Sequence, residues 1–174
     1  AFHGWRSSWH RDFGMISDFW YKNNCSVLYV EQRGQNNSSG EYMGFGLTER
    51  FDCLDWLNWE IERCGSDIPV YLAGVSMGAT TVLMAAGLQL PPNVHGIMAD
   101  CGFTSANAIW EHIAKDNLHI RFGIRSAIAD RMCRRKIQVG SKEHSTVEAL
   151  KHTHVPVILV HGADDHFVPV EMTY

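Results

Sequence analysis

Apolar and polar positions along the chain follow two alternating rhythms. Four short runs, at residues 26–30, 69–73, 95–99 and 155–161, are rich in β-branched and aliphatic residues without strict alternation, the pattern of strands covered on both faces. Between them, apolar residues return every three or four positions, the helical period. The first such stretch carries Phe13, Ile16, Phe19 and Trp20, with Ser7 or Ser8 available as a cap and Asn23-Asn24 as a stop. The second sets Leu47, Phe51, Leu54, Leu57 and Ile61 on one side, with Thr48 as cap and Gly65 as stop. A third, from Met77 to Leu88, is small and apolar almost all round and should be buried.

Strand and helix in alternation predict a mostly parallel α/β sheet flanked by helices, with residues 1–174 as a single domain. Residues 105–140 break the rhythm. They are helical in pattern (Ile109 and Ile113, then Ile124, Ile128 and Met132) and longer than one crossover needs. Two readings stand: a helical lid over the carboxyl end of the sheet, or two ordinary helices on a sheet face.

Composition narrows the partners. Of 174 residues, 45% are hydrophobic and 20% charged, which is ordinary for a globular domain and excludes collagen, coiled coil and disorder. With 15 Lys and Arg against 19 Asp and Glu, the net charge of -4 argues against nucleic acid as a partner. The five cysteines are widely spaced and contain no C-x-x-C. They fit free thiols in a reducing, cytoplasmic compartment better than a disulfide framework or zinc knuckle. His152 and His154 lack a further ligand at metal-binding spacing, so no metal is expected. Neither a P-loop nor G-x-G-x-x-G is present, and no cofactor is expected. Arg131, Arg134, Arg135 and Lys136 form a basic knot, readable as a solvated helix end or as a contact for an acidic substrate. No apolar run reaches bilayer length. The chain opens at Ala1-Phe2-His3-Gly4 and closes at Met172-Thr173-Tyr174, just after a strand-like run, and so reads as a fragment truncated at both ends. That leaves a leader, an anchor and membrane association undecided.

The informative motif is Gly74-Val75-Ser76-Met77-Gly78. A bare G-x-S-x-G arises by chance in about one chain of this length in twenty. Its setting raises the signal, because a strand-like run precedes it and a helical run follows. A serine on such a tight turn projects its hydroxyl above the sheet edge, and only glycines fit two residues to either side. The helix start adds unpaired N–H groups where an oxyanion would develop. A serine nucleophile needs a base, and the base needs an orienting carboxylate. The acid is expected after a later strand, where Asp164 and Asp165 both stand, and the spacing to Val168-Pro169 favours Asp165. The base should come later still. His166 is the remaining histidine there, but a direct neighbour of the acid cannot easily sit on the other side of a relay. The base is therefore expected beyond Tyr174, and the 174-residue chain alone is expected to show no turnover.

These residues resemble the α/β-hydrolase superfamily, and within it the bacterial serine aminopeptidase-like branch of small esterases. The likeness covers Phe2-His3-Gly4-Trp5, the stretch from Glu31 to Gly40 with its Arg33-Gly34, the serine turn, Ala99 to Ser105, and His161-Gly162 through Val168-Pro169. It implies Ser76 as nucleophile, Asp165 as triad acid, the amides of Trp5 and Met77 as oxyanion hole and Phe103 as a pocket contact. It also implies that Arg33 braces loops and that the strand ending at Phe2 lies between those holding residues 27–30 and 69–73. The expected activity is cleavage of carboxylic esters, or of amides and small peptides, through an acyl-enzyme. Acyl transfer with the same nucleophile and a catalytically silent binding domain are the alternatives.

Overall fold

The computed structural model describes residues 1–174. Strand β1 (Val70–Val75) runs parallel to β2 (Val94–Asp100), which in turn pairs in parallel with β3 (Val157–Val160). The register sets Val75 beside Asp100 and Asp100 beside Val160, so all three strands end at one level. On the other side of β1, Phe2 makes parallel bridges to both Gly74 and Val30. Its N–H donates to the Ala73 carbonyl (2.8 Å) and its own carbonyl accepts from Val75 (3.1 Å). The segment at Phe2 thus lies between residue 30 and β1, the place that the resemblance implies.

Helices α1 (Trp9–Lys22), α2 (Glu49–Cys64) and α3 (Met77–Ala85) fall where the periodicity puts them. Every residue of α3 is buried, because the helix is covered by β1, β2, α2 and the short α6 (Thr146–Leu150). Small side chains such as Ala79 and Ala85 allow that approach. The main core joins Phe2, Val30, Leu57, Leu72, Val82 and Ile97. All five cysteines are free.

Several local expectations are corrected. Residues 26–30 form no strand; only Val30 bridges, because the segment at Phe2 meets it at a single position. Coverage on both faces fails at β3, whose Ile158, Leu159 and Val160 stand 60%, 41% and 53% exposed on an edge strand. Ser8 occupies the N-cap of α1 without a side-chain cap bond, while the Ser7 hydroxyl donates to Asp12 (2.6 Å). The Thr48 hydroxyl likewise accepts no cap bond at the start of α2. There Glu49, 1% exposed, takes the N–H groups of Gly44 (2.6 Å) and Gly46 (2.9 Å) and the Thr48 hydroxyl (3.2 Å). The carboxylate ties the preceding loop to the helix start, with the helix dipole in its favour, while the amides of Arg50 and Phe51 donate to the carbonyls of Gly46 (3.3 Å) and Thr48 (3.0 Å).

Residues 105–140 are helical. Helix α4 (Ala106–His112) continues into a π-helical turn, Ile113–Asn117, and α5 (Gly123–Ile137) follows. Ile109 of α4 is buried against Met77, Phe103 and Val168 at the carboxyl end of the sheet. Helix α5 lies outermost, with Ser126 as its buried residue, bonded to Asn107 (2.7 Å). No helix is long and apolar enough to cross a membrane.

Candidate active site

Ser76 sits between the end of β1 and the start of α3 with φ 53° and ψ -115°. A non-glycine residue held there stores about 1–3 kcal/mol of strain, so its surroundings must over-determine it. Two close approaches do so. A Cβ on Gly74 would come within 2.3 Å of the Gly78 carbonyl oxygen, and a Cβ on Gly78 within 1.9 Å of the Phe2 oxygen. The turn closes on itself and the Phe2 main chain crosses against it. The Ser76 amide donates to the Asp100 carbonyl (2.8 Å), and the Ser76 carbonyl accepts from Thr80 (3.0 Å), which leaves the side chain as the free part of the residue.

The loop after Phe2 lies directly over this turn. A Cβ on Gly4 would stand 3.3 Å from the Ser76 Cβ. The Gly4 N–H donates to Asp12 Oδ2 (2.6 Å), so the first turn of α1 pins the loop. His3, fully buried, places Nδ1 2.7 Å from the Gly4 carbonyl and Nε2 3.3 Å from the Gln32 N–H. The first contact calls for a donor and the second for an acceptor, which corresponds to the Nδ1–H tautomer. The Gln32 side-chain amide donates to the His3 carbonyl, and its oxygen accepts from Thr81 of α3 (2.9 Å). Trp5 comes next. Its main-chain N–H donates to no other backbone group, and its indole nitrogen is buried without a partner. Met77, fully buried, opens α3, where the first amides have no intrahelical acceptor.

Asp165 follows β3 in a loop that its own side chain organises. Its Oδ1 accepts from the amides of Phe167 and Val168, both at 2.9 Å, while Oδ2 lies 3.6 Å from His161 Nε2. Asp164 is exposed. Of the two acids, Asp165 is the one the loop holds. Val168, at the loop's end, packs on Met77, which brings the acidic loop and the serine turn against one another.

Electrostatics carries the same adjacency. Burial pushes the Cys101 thiol up to about 11; the charges of Asp100, Asp165 and Asp12 add to the rise, and the Ser76 backbone opposes it. The Asp100 carboxyl is raised by burial, with His161 lowering it and Asp165 raising it. Cys101 itself is held at φ 47°.

An aromatic wall closes one side. Trp5 packs on Phe45 (5.9 Å between ring centres) and stacks on Phe167 (6.4 Å), and Phe45 meets Phe103 (6.3 Å) and Trp110 (5.3 Å). Phe103 is the innermost ring, 2% exposed, with its N–H donating to the Thr80 hydroxyl (2.9 Å). Trp9 lies outside this wall, packed on Tyr29 instead (4.9 Å). Arg33 forms a two-point ion pair with Asp52 of α2, which holds the 31–40 loop. That pair borders a separate cavity of about 340 Å³, lined also by Glu31, Asp55 and Trp56, that does not include Ser76.

The histidines near the site are committed elsewhere. His161 is bonded to Val168 O (2.7 Å) and Thr173, and His166 is exposed. His112, at the end of α4, joins Asp116 (2.9 Å) to the His166 carbonyl (3.2 Å) and so links the helical segment to the acidic loop. No group of three or more His, Cys, Asp or Glu side chains converges as a metal site would require.

Sequence reasoning missed Asp12, Gln32, Thr81 and His112. Gln32 was legible only as part of the Glu31–Gly40 resemblance. Asp12 carries no more signal than any acid in a first helical turn.

No family model matches the chain. It is 23% identical over 148 residues to the uncharacterized protein YqkD of Bacillus subtilis (strain 168), covering 85% of this chain and 48% of that protein. The chain therefore spans about half the length of the curated relative it matches. Among solved structures, an esterase of Pyrococcus furiosus, Pf2001, superposes with a TM-score of 0.73 at 19% identity, over 98% of this chain and 63% of that one. A lipase-esterase related protein of Clostridium acetobutylicum gives 0.67 at 18%, over 98% and 76%. The chain has the α/β-hydrolase fold.

Proposed function

We propose that this chain carries the nucleophile, the triad acid and the oxyanion donors of a serine hydrolase that cleaves carboxylic esters. The observation behind this reading is the strained turn at Ser76, enclosed by the Gly4–Trp5 loop on one side and the Asp165 loop on another. A binding module gains nothing from holding a serine in such a conformation. The names of the structural neighbours, an esterase and a lipase-esterase related protein, agree with it.

In this mechanism the Ser76 hydroxyl oxygen attacks the ester carbonyl carbon and gives its proton to an imidazole. The carbonyl oxygen becomes an oxyanion facing the main-chain N–H groups of Trp5 and Met77, each such donor contributing about 3 kcal/mol to the transition state. Collapse breaks the bond to the alcohol, which leaves with the proton from the imidazole. Water, deprotonated by the same imidazole, then releases the acyl group and restores Ser76. Asp165 holds the imidazole in the tautomer that accepts from serine. Each histidine near the turn is already bonded elsewhere or exposed, so the imidazole of this relay is proposed to come from outside residues 1–174. The helical segment 105–140, with α4 seated against Met77, is proposed to act as a lid. The aromatic wall of Trp5, Phe45 and Phe103 suits an apolar acyl group, and no cofactor takes part.

The test is a fluorophosphonate probe on the full-length protein. Covalent labelling that disappears in Ser76→Ala is expected. Absence of labelling in the unmodified protein would instead favour a silent binding domain. The partition of product between the free acid and the new ester or thioester, with an alcohol or thiol acceptor present during turnover, would separate hydrolysis from acyl transfer.

A further inference from the structure

We propose that the outer face of α5 is a docking surface for an anionic lipid bilayer. This goes beyond ester hydrolysis and stands whatever the reaction at Ser76.

Three large apolar side chains stand in water on this helix: Ile124 at 85%, Ile128 at 55% and Met132 at 59% exposure. They recur every four residues and so form one line along the helix. Leu118 and Ile120, 60% and 38% exposed, extend it toward the preceding turn. At 100° per residue, Arg131 and Arg135 fall on the same outward arc and Arg125 at its margin, while Ser126, the buried residue, lies on the opposite side. Apolar line and guanidinium groups therefore share one face.

The charges are segregated to match. Residues 121–136 hold six of the 15 Lys and Arg with one acid, Asp130, for a local charge of +5 against -9 on the remaining chain. Arg134 is taken up by Asp130 and Glu143, and Lys136 by the Tyr42 hydroxyl (2.7 Å). Arg121, Arg125, Arg131 and Arg135 enter no ion pair. An isolated basic stripe would suit any polyanion, and an isolated apolar line would suit many partners. Both on one protruding helix match the chemistry of an interface with negative headgroups above and acyl chains below. A second copy of the chain is disfavoured as occupant, since a two-fold pairing through this face would set +5 against +5. The helix has 15 residues and interrupts its apolar line with arginines, so it would lie in the interface plane and not insert across it.

The experiment is flotation of the full-length protein with vesicles of phosphatidylcholine containing about 30 mol% phosphatidylglycerol, beside vesicles of phosphatidylcholine alone. Binding to the anionic vesicles is expected, with the partition coefficient falling about tenfold or more between low and high salt. R131Q/R135Q and I124S/I128S should each weaken binding by about fivefold or more with far-UV circular dichroism unchanged, because all four side chains are exposed. A fluorophore on Ile128→Cys, in a background with Cys25, Cys64, Cys101 and Cys133 replaced by serine, should shift to the blue on anionic vesicles, which reports entry of the apolar line and not charge attraction alone. Absence of binding, equal binding to neutral vesicles without salt dependence, or binding untouched by either double substitution would overturn the proposal. So would self-association in sedimentation equilibrium that the same substitutions abolish while vesicle binding is nil.

Discussion

At the scale of single residues, the two oxygens of Asp165 are placed differently. Oδ1 closes the loop by accepting from Phe167 and Val168, and Oδ2, 3.6 Å from His161 Nε2, is the oxygen that the proposed relay would use. Asp165→Asn keeps an acceptor for both amides, so the urea unfolding midpoint should hardly move, while turnover of a p-nitrophenyl ester by the full-length protein should fall by about 10⁴-fold, the tautomer of the imidazole no longer being fixed. Asp165→Ala should lose comparable activity and in addition about 1–3 kcal/mol of stability, because two amides lose their partner. If the asparagine variant kept its activity, Asp165 would be a loop residue only. The sequence singled out Asp165 by its spacing to Val168-Pro169, but not the loop bonds it makes: a carboxylate that bonds amides two and three residues ahead is a turn geometry, and composition does not encode which acid adopts it.

At the scale of elements, the long periodic stretches were legible and their ends were partly so. Gly65, at φ 93°, stops α2 as the pattern predicts, because only glycine takes that conformation freely. Thr48 failed as a side-chain cap because the carbonyls of Gly46 and Thr48 take the amides of Arg50 and Phe51, a main-chain geometry with no local signature. The strand at 26–30 failed for a different reason: β-propensity describes a residue's fit to a sheet, and pairing is decided by what lies opposite. The network from His3 through Gln32 to Thr81 was equally hidden, since it joins three elements separated by 29 and 49 residues. It predicts that Gln32→Leu, which leaves the His3 carbonyl without its bond while the Thr81 hydroxyl keeps the Met77 carbonyl (3.0 Å), costs about 1–3 kcal/mol, measured by urea denaturation. The same change should lower ester turnover, because the loop that carries Trp5 loses its anchor to α3. A stability loss with unchanged turnover would mean that the loop is positioned by Asp12 alone.

At the scale of the whole molecule, the free thiols set the alkaline limit. Burial pushes Cys53 up to about 12 and Cys101 up to about 11, against an ordinary value near 9. Between pH 9 and 11 the unfolded chain gives up these protons while the folded chain keeps them. Folding stability from this source is therefore complete below pH 9 and declines as pH rises toward 11 and 12. The urea midpoint should fall between pH 8 and pH 10.5, and Cys53→Ala should flatten that dependence at a cost of about 1 kcal/mol in packing. A midpoint that stays level in the unsubstituted protein would show that these thiols titrate normally in the fold. The parallel architecture itself was legible from the three runs that did form strands and from the helices between them, because parallel sheets need crossovers and the chain supplies them in order.

The crossing of the Phe2 main chain against Gly78 reaches beyond catalysis. With 1.9 Å between the Phe2 oxygen and any carbon added at 78, that position is closed to side chains by the sheet's own architecture. A descendant with no reaction at this turn would still be obliged to keep glycine there, whereas nothing in the packing obliges it to keep a hydroxyl two residues earlier. In lineages that share this architecture, retention of the flanking glycines is therefore a record of folding, whatever stands at position 76.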